Sequence, residues 1–247
     1  MMKNWQSRTE LLIGEGNLLK LKKSHVLVAG LGGVGSWAAE LLVRGGVGKL
    51  TIADHDRITA SNRNRQLAAL SSTEGLLKAD VMAMRLKDIN PDLDLTVVKT
   101  FLKDDAIPSL LDQAPFDYVI DAIDTLSPKV FFLYNCCTRK YRVVSSMGSG
   151  NKFNPGLIQV ADISETFNCR LAHYVRKHLH KLGIREGIKA VFSPEVLPDK
   201  VLDWVSNEPN KRTVAGTVSY MPALFGAWCA SVVIRDLIGI DEHRVGI

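Results

Sequence analysis

The chain has 247 residues, 46% hydrophobic and 23% charged, which supplies a sizeable core and excludes a disordered or low-complexity protein. Its length fits one large α/β domain or two modest ones. A formal net charge of +5 permits a nucleic-acid partner without demanding one, because a solvated lysine-rich surface gives the same balance.

In chain order, Arg8–Lys23 sets leucines among charges and predicts one or two short helices broken around Gly14-Glu15-Gly16. His25–Gly30 (HVLVAG) predicts a buried strand, Val34–Arg44 a helix and Lys49–Ala53 a second strand. Leu76–Asn90 reads as an amphipathic helix stopped by Pro91. Leu93–Val98 (strand), Asp104–Leu111 (short helix), Tyr118–Ala122 (apolar strand), Pro128–Lys140 (helix) and Arg142–Ser146 (strand) continue the alternation. Such a rhythm implies a Rossmann-like α/β fold: a doubly wound, mainly parallel sheet with helices on both faces and its crevice at the strand C-termini.

After Gly148-Ser149-Gly150 the rhythm changes, to a strand over Leu157–Asp162, a basic helix over Asn168–Lys181 and a strand over Ile188–Phe192. Pro194–Arg212, with three prolines and many charges, reads as a long loop or lid beside the active site. From Thr213 to Ile234 no charge interrupts the chain, a length that could span a bilayer. Thr217, Ser219, Tyr220, Pro222 and Ser231 fall inside it, so a buried strand followed by a core helix is the expectation, with no membrane partner. The expected organisation is one domain over 1–247, with one half over about 1–150 and a second over about 151–247, the C-terminal extension of the sheet.

The cysteines Cys136, Cys137, Cys169 and Cys229 form no C-x-x-C pair, so no zinc site is expected. Met1–Trp5 has no apolar signal region, which predicts a cytoplasmic protein with reduced thiols.

Gly30-Leu31-Gly32-Gly33-Val34-Gly35-Ser36 follows a strand and opens a helix. Glycines there let the backbone approach a phosphate, and the helix N-terminus offers it free N–H groups. Asp54 ends the next strand, where an acid can bind ribose hydroxyls. A nicotinamide dehydrogenase or a non-catalytic nucleotide-binding module shares the pattern to this point. Beyond it come Asp54-His55-Asp56, Asn62-Arg63-Asn64-Arg65-Gln66, Lys78 and Asp124. ATP cleaved at its α-phosphate needs cations on the departing phosphates, a task that suits Arg65 and Lys78, and Asp124 at a strand C-terminus suits magnesium.

The run GLGGVGS, DHD, NRNRQ, LLKAD and AIDT resembles the ubiquitin-activating-enzyme-like superfamily, which includes the molybdopterin-synthase and thiamine-biosynthesis adenylating enzymes. The resemblance implies an ATP phosphate loop at Gly30, Gly32, Gly33 and Gly35, with Ser36 and Asp56 in the same nucleotide-binding set. It implies ribose binding by Asp54, phosphate contacts by Asn62, Arg65 and Lys78, and magnesium at Asp124. It further implies a homodimer in which Arg8 reaches the partner's ATP, so Arg8, Arg65, Lys78 and Asp124 are the expected catalytic residues.

SRTELLIGEG at Ser7–Gly16, GGVGSWAAELL at Gly32–Leu42, YVIDAID at Tyr118–Asp124 and the ending SYMPALFG…ASVVIRDLIG are similar to the tRNA threonylcarbamoyladenosine dehydratases. That family uses ATP to dehydrate the threonylcarbamoyl group of the adenosine beside the anticodon, closing a ring. A tRNA substrate is therefore implied, and docking of a sulfur-relay protein stays open. The other reading is a sulfur-carrier activator, which adenylates the C-terminus of a ubiquitin-like protein and commonly carries two C-x-x-C pairs. Three basic patches are candidates for the tRNA phosphates: Arg139-Lys140 with Arg142, Arg176-Lys177-His178 with His180-Lys181, and Lys211-Arg212. An ordinary solvated charge is the other reading of each. Cys229 is read as a buried structural thiol rather than a nucleophile.

Overall fold

The computed structural model describes residues 5–196, 202–204 and 213–240. α1 (Ser7–Ile13) and α2 (Glu15–Lys23) meet at Gly14, whose φ of +81° few other residues adopt and which breaks the helix where the glycines predict. Then follow β1 (His25–Ala29), α3 (Gly35–Gly45), β2 (Lys49–Ala53), α4 (Lys78–Ile89), β3 (Asp94–Val98), α5 (Ala106–Leu111), β4 (Tyr118–Asp121), α6 (Leu126–Thr138) and β5 (Val143–Ser146). β6 (Gln159–Asp162), α7 (Arg170–Lys181), β7 (Lys189–Phe192), β8 (Leu202–Trp204), β9 (Thr213–Ala215) and α8 (Tyr220–Ile238) complete the described elements.

Seven strands form one sheet in the order β3-β2-β1-β4-β5-β7-β6, parallel except for β6 against β7. Val26–Ala29 is wholly buried because helices cover both faces, as a continuous apolar strand requires. One core joins α2, α3, α4 and α8 to the sheet, and α5, α6 and α7 pack the other face. Gly226 lets α8 approach α3: a Cβ there would lie 2.5 Å from the Val34 carbonyl oxygen and 2.9 Å from Trp37 Cβ. Asp236, near the end of α8, accepts from Tyr118 Oη at 2.7 Å and Lys189 Nζ at 2.8 Å, which ties the helix to the N-terminal edge of the sheet.

Three expectations change. α6 begins at Leu126 rather than Pro128, since proline is tolerated in a first helical turn. The strand expected from Leu157 starts at Gln159, because Pro155–Leu157 winds into a 3-10 turn capped by Asn154. Pro194–Arg212 is not simply a loop: Leu202–Trp204 is a strand that pairs antiparallel with Thr213–Ala215, apart from the main sheet. The remainder of that lid assignment, residues 197–201 and 205–212, lies outside the described residues. Among the described residues α8 alone is long and apolar enough to cross a membrane, and half of its most apolar stretch is buried against α3 and the sheet.

Candidate active site

The strand order reverses between β1 and β4, which opens a crevice at their C-terminal ends. Gly30 leaves β1 with φ +89°, and a Cβ there would lie 2.7 Å from the Ala122 carbonyl oxygen. A Cβ on Gly35 would come within 1.8 Å of the Gly30 carbonyl oxygen, so only glycine lets α3 start this close to the strand. Gly32, by contrast, faces space: the nearest atom to a Cβ there is Gln66 Nε2 at 3.9 Å. Ser36 is fully buried, and its hydroxyl donates to the Gly32 carbonyl at 2.7 Å. It therefore closes the turn from within rather than presenting itself to the crevice.

Asp54 locks the turn from the β2 side. Its Oδ2 accepts the Leu31 N–H at 2.6 Å and its Oδ1 accepts the Asp56 N–H at 2.8 Å. Burial pushes the Asp54 carboxyl above its ordinary value, opposed by the charge of Lys78 and by these two N–H groups. Asp56 Oδ2 in turn accepts from Lys78 Nζ at 2.8 Å. The Lys78 side chain is only 7% exposed, so its ammonium is held at the crevice by this carboxylate instead of roaming in solvent.

Asn62–Gln66 folds over the other side of the glycine turn. Asn62 ends a 3-10 turn and accepts the Thr59 N–H, while Arg65 donates to the Ser61 carbonyl at 3.0 Å and Asn64 Oδ1 at 2.9 Å. The aliphatic stem of Arg65 reaches within 3.4 Å of where a Gly33 Cβ would be. Trp37, Arg63, Arg65, Gln66 and Ser219 bound a shallow cleft of about 160 Å³ beside it.

Asp124 is exposed and lies between β4 and α6, two residues beyond the Ala122 carbonyl that Gly30 touches. Beneath it is a buried ion pair. Lys129 Nζ lies 2.7 Å from Asp121 Oδ2, and both side chains are wholly inaccessible. Ser145 Oγ donates to the same oxygen at 2.6 Å, Ile123 N–H donates to Asp121 Oδ1 at 3.1 Å, and Lys129 donates to the Ile123 carbonyl at 3.0 Å. The loop carrying Asp124 is thus fastened from below by four groups.

Arg65 thus lies against Gly33, Lys78 is joined to the turn through Asp56 and Asp54, and Asp124 follows two residues after Ala122, whose carbonyl crowds Gly30. Arg8 is exposed on α1, with no hydrogen-bond or ion-pair partner among the described residues. Cys229 is buried, and burial pushes its thiol up to about 12, which makes it a poor nucleophile. The sequence gives no individual role to Asp121, Lys129 or Gln66, although Gln66 closes the NRNRQ run and Asp121 lies within YVIDAID. Lys129 left a trace, as the one cation in the apolar run LSPKVFFLYNCC.

The arrangement fits a nucleotide. The open side of Gly32 admits a phosphate, the start of α3 supplies N–H groups, and the buried Gln66 Oε1 has no partner among the described residues. Magnesium held by one carboxylate together with phosphate oxygens needs only a residue placed like Asp124. Ligand atoms of Asp54, His55 and Asp56 also lie within 4.8 Å of one another, but those two carboxylates already bind Leu31, Asp56 and Lys78.

The sequence profile of the ThiF family matches residues 6–246. The chain belongs to the ThiF family. Within that family, the tRNA threonylcarbamoyladenosine dehydratase of Bacillus subtilis (strain 168) is 40% identical over 247 residues, covering 97% of each chain. The crystal structure of the E. coli tRNA N6-threonylcarbamoyladenosine dehydratase in complex with ATP superposes with a TM-score of 0.86 at 34% identity, covering 95% of both chains. The molybdopterin-synthase adenylyltransferase of Salmonella typhimurium (strain LT2) is 38% identical over 125 residues, 51% of this ThiF-family chain and 49% of its own.

Proposed function

We propose that this ThiF-family protein dehydrates N6-threonylcarbamoyladenosine in tRNA, with ATP as co-substrate activating the threonyl carboxylate. The open glycine turn flanked by the Arg65 stem and by the Asp54–Asp56–Lys78 chain, with Asp124 just beyond the neighbouring strand β4, carries the reading. The dehydratase relatives support it along nearly the whole chain, whereas similarity to the sulfur-carrier activator covers about half. The missing C-x-x-C pairs weigh the same way.

A free carboxylate is a poor electrophile with a poor leaving group. Transfer of a phosphorus group from ATP to one of its oxygens supplies the leaving group. An atom of the neighbouring carbamoyl group then attacks the activated carbonyl, closes the ring and gives up its proton, while the carboxylate oxygen leaves on the phosphorus group, so that the substrate loses one water in sum. Because the attack is intramolecular, effective molarity supplies much of the rate and no protein nucleophile is required.

In this scheme Asp54 binds the ribose, and the N–H groups around Gly32 and Gly33 receive the phosphates. Asn62, Arg65 and Lys78 neutralise the departing charge, Lys78 exchanging Asp56 for phosphate. Asp124 holds a magnesium ion, which would offset phosphate charge when bound. Arg8, exposed on α1, completes the site from the partner protomer of a homodimer. Cytoplasmic location belongs to the same proposal.

The test is cheap. ATP with magnesium at about 100 times its Kd raises stability by about 2.7 kcal/mol, a melting shift of about 5–10 °C for a chain of this size. NAD gives no shift, and tRNA stimulates ATP turnover. Protection by NAD instead of ATP contradicts the proposal. Turnover that needs a Gly-Gly-ending protein and no tRNA supports the sulfur-carrier reading.

A further inference from the structure

The structure separates the three basic patches that the sequence leaves level. Arg139 is bound by Asp112 through two nitrogens, at 2.7 and 3.1 Å. Arg142 lies 4.9 Å from the Tyr118 ring centre and 3.6 Å from Asp236. It precedes β5, so this patch sits at the N-terminal edge of the sheet, opposite the crevice. Lys211-Arg212 lies outside the described residues. α7 remains, and it is oriented differently.

Residues 168–185 contain no aspartate or glutamate. α7 starts at the crevice edge. A Cβ on Gly148, just beyond the C-terminal end of β5, would lie 3.8 Å from Leu171 Cβ. The Phe167 ring lies 5.7 Å from that of Phe192, the last residue of β7. Ala172, Val175 and Leu179 pack inward, leaving Arg170, Tyr174, Lys177 and Lys181 outside. Arg176 turns away from this surface, donating to the Thr166 carbonyl at 2.7 Å, and so fastens the preceding loop.

What marks this face off from an ordinary charged helix is its aromatic content. Phe167 and Tyr174 expose 50% and 38% of their surface, and the Arg170 guanidinium lies 6.0 Å from the Tyr174 ring centre. Phe153 and Tyr220 are exposed as well, Tyr220 Oη donating to the Phe153 carbonyl at 2.8 Å. The nearby acid Glu195 is committed to the backbone N–H groups of Phe153 and Asn154. Cations alternating with flat exposed rings, at the mouth of a crevice, suit single-stranded nucleotides: phosphates on the cations and unstacked bases on the rings.

We infer that the outer face of α7, with Phe167, Arg170, Tyr174 and Lys177, docks the single-stranded loop of the RNA substrate and presents its modified base to the crevice. This inference rests on the functional reading above for the identity of the substrate. A paired RNA stem would be held by the cations alone, since its bases cannot reach the rings.

The experiment measures binding of a synthetic hairpin RNA, carrying threonylcarbamoyladenosine in its loop, to the full-length protein by fluorescence anisotropy across a salt series. The hairpin binds more tightly than a fully paired duplex of equal length. Tyr174→Ala weakens hairpin binding about five- to a hundredfold. Arg170→Gln and Lys177→Gln each reduce the slope of log K against log salt by about 0.7. Lys140→Glu, at the opposite edge, changes neither quantity. ATP still raises the melting temperature of every variant, which shows that each is folded. Hairpin affinity and salt slope unmoved in the α7 variants overturn the inference, as does duplex RNA or polyglutamate binding as tightly as the hairpin. If the wild type binds the hairpin on this face yet leaves its modified base unchanged, the functional reading fails and the docking face stands. If it binds no RNA at all, both fall.

Discussion

Lys129→Met tests the ion pair beneath the site. In the folded protein Asp121 and Lys129 are both wholly inaccessible, and the pair is 2.7 Å apart. Removing the ammonium leaves a buried carboxylate without its counter-charge, a change that costs about 3–5 kcal/mol. Asp121 keeps the Ser145 hydroxyl and the Ile123 N–H, so the lower end of that range applies. At about 2–4 °C per kcal/mol for a chain of this length, the melting temperature falls by about 6–12 °C. The double variant Asp121→Asn with Lys129→Met removes both charges, and more than half of the loss returns. The variant also cuts the Lys129 bond to the Ile123 carbonyl, so the loop bearing Asp124 loosens and protection by ATP shrinks as well. Scanning calorimetry without and with ATP reads both effects. A Lys129→Met protein melting within about 2 °C of wild type, or a double variant no better than the single one, refutes the reasoning.

Asp124→Ala replaces an exposed side chain, so thermal unfolding stays within about 2 °C of wild type while tRNA-dependent ATP turnover falls at least about 100-fold. Turnover at the wild-type rate would remove the magnesium assignment. Gly30→Ala adds a methyl group 2.7 Å from the Ala122 carbonyl oxygen at a φ of +89°, and calorimetry should show a loss of about 1–3 kcal/mol together with weaker ATP protection. Asp236→Asn bears on acid stability. Burial raises the Asp236 carboxyl, but Lys189, Tyr118 and Arg142 together hold it below its ordinary value of 3.8. Its contribution is therefore present above about pH 4 and lost as pH falls through the lowered folded value. The variant is less stable than wild type by about 2 kcal/mol at pH 7, and denaturant titrations down to pH 3 should show the gap closing. A gap that widens on acidification contradicts this sign.

The parallel sheet is legible because the stretches VLVA and YVI are apolar throughout, which only strands covered on both faces tolerate. The glycine turn was legible because a positive φ at Gly30 and the close approach at Gly35 leave glycine no substitute. Proline misled twice. Pro128 marks a helix start in the sequence although it sits inside the first turn of α6, and the prolines of Pro194–Arg212 hide the short strand Leu202–Trp204. The Asp121–Lys129 pair was not legible, since two residues eight apart on different elements meet only after β4 and α6 pack. The resemblance puts Ser36 in the nucleotide-binding set, and only the structure shows its hydroxyl donating to the Gly32 carbonyl. The ranking of the basic patches depends on which edge of the sheet each occupies, and topology alone decides that.

Mass spectrometry of nucleosides digested from tRNA tests the central proposal most directly. Modified tRNA is incubated with the purified protein, ATP and magnesium, and with the same mixture lacking ATP. The account predicts that threonylcarbamoyladenosine converts to a species lighter by one water only when ATP is present, and that the Arg65→Ala and Lys78→Met proteins leave it unconverted. Threonylcarbamoyladenosine persisting unchanged with wild-type protein and ATP would contradict it.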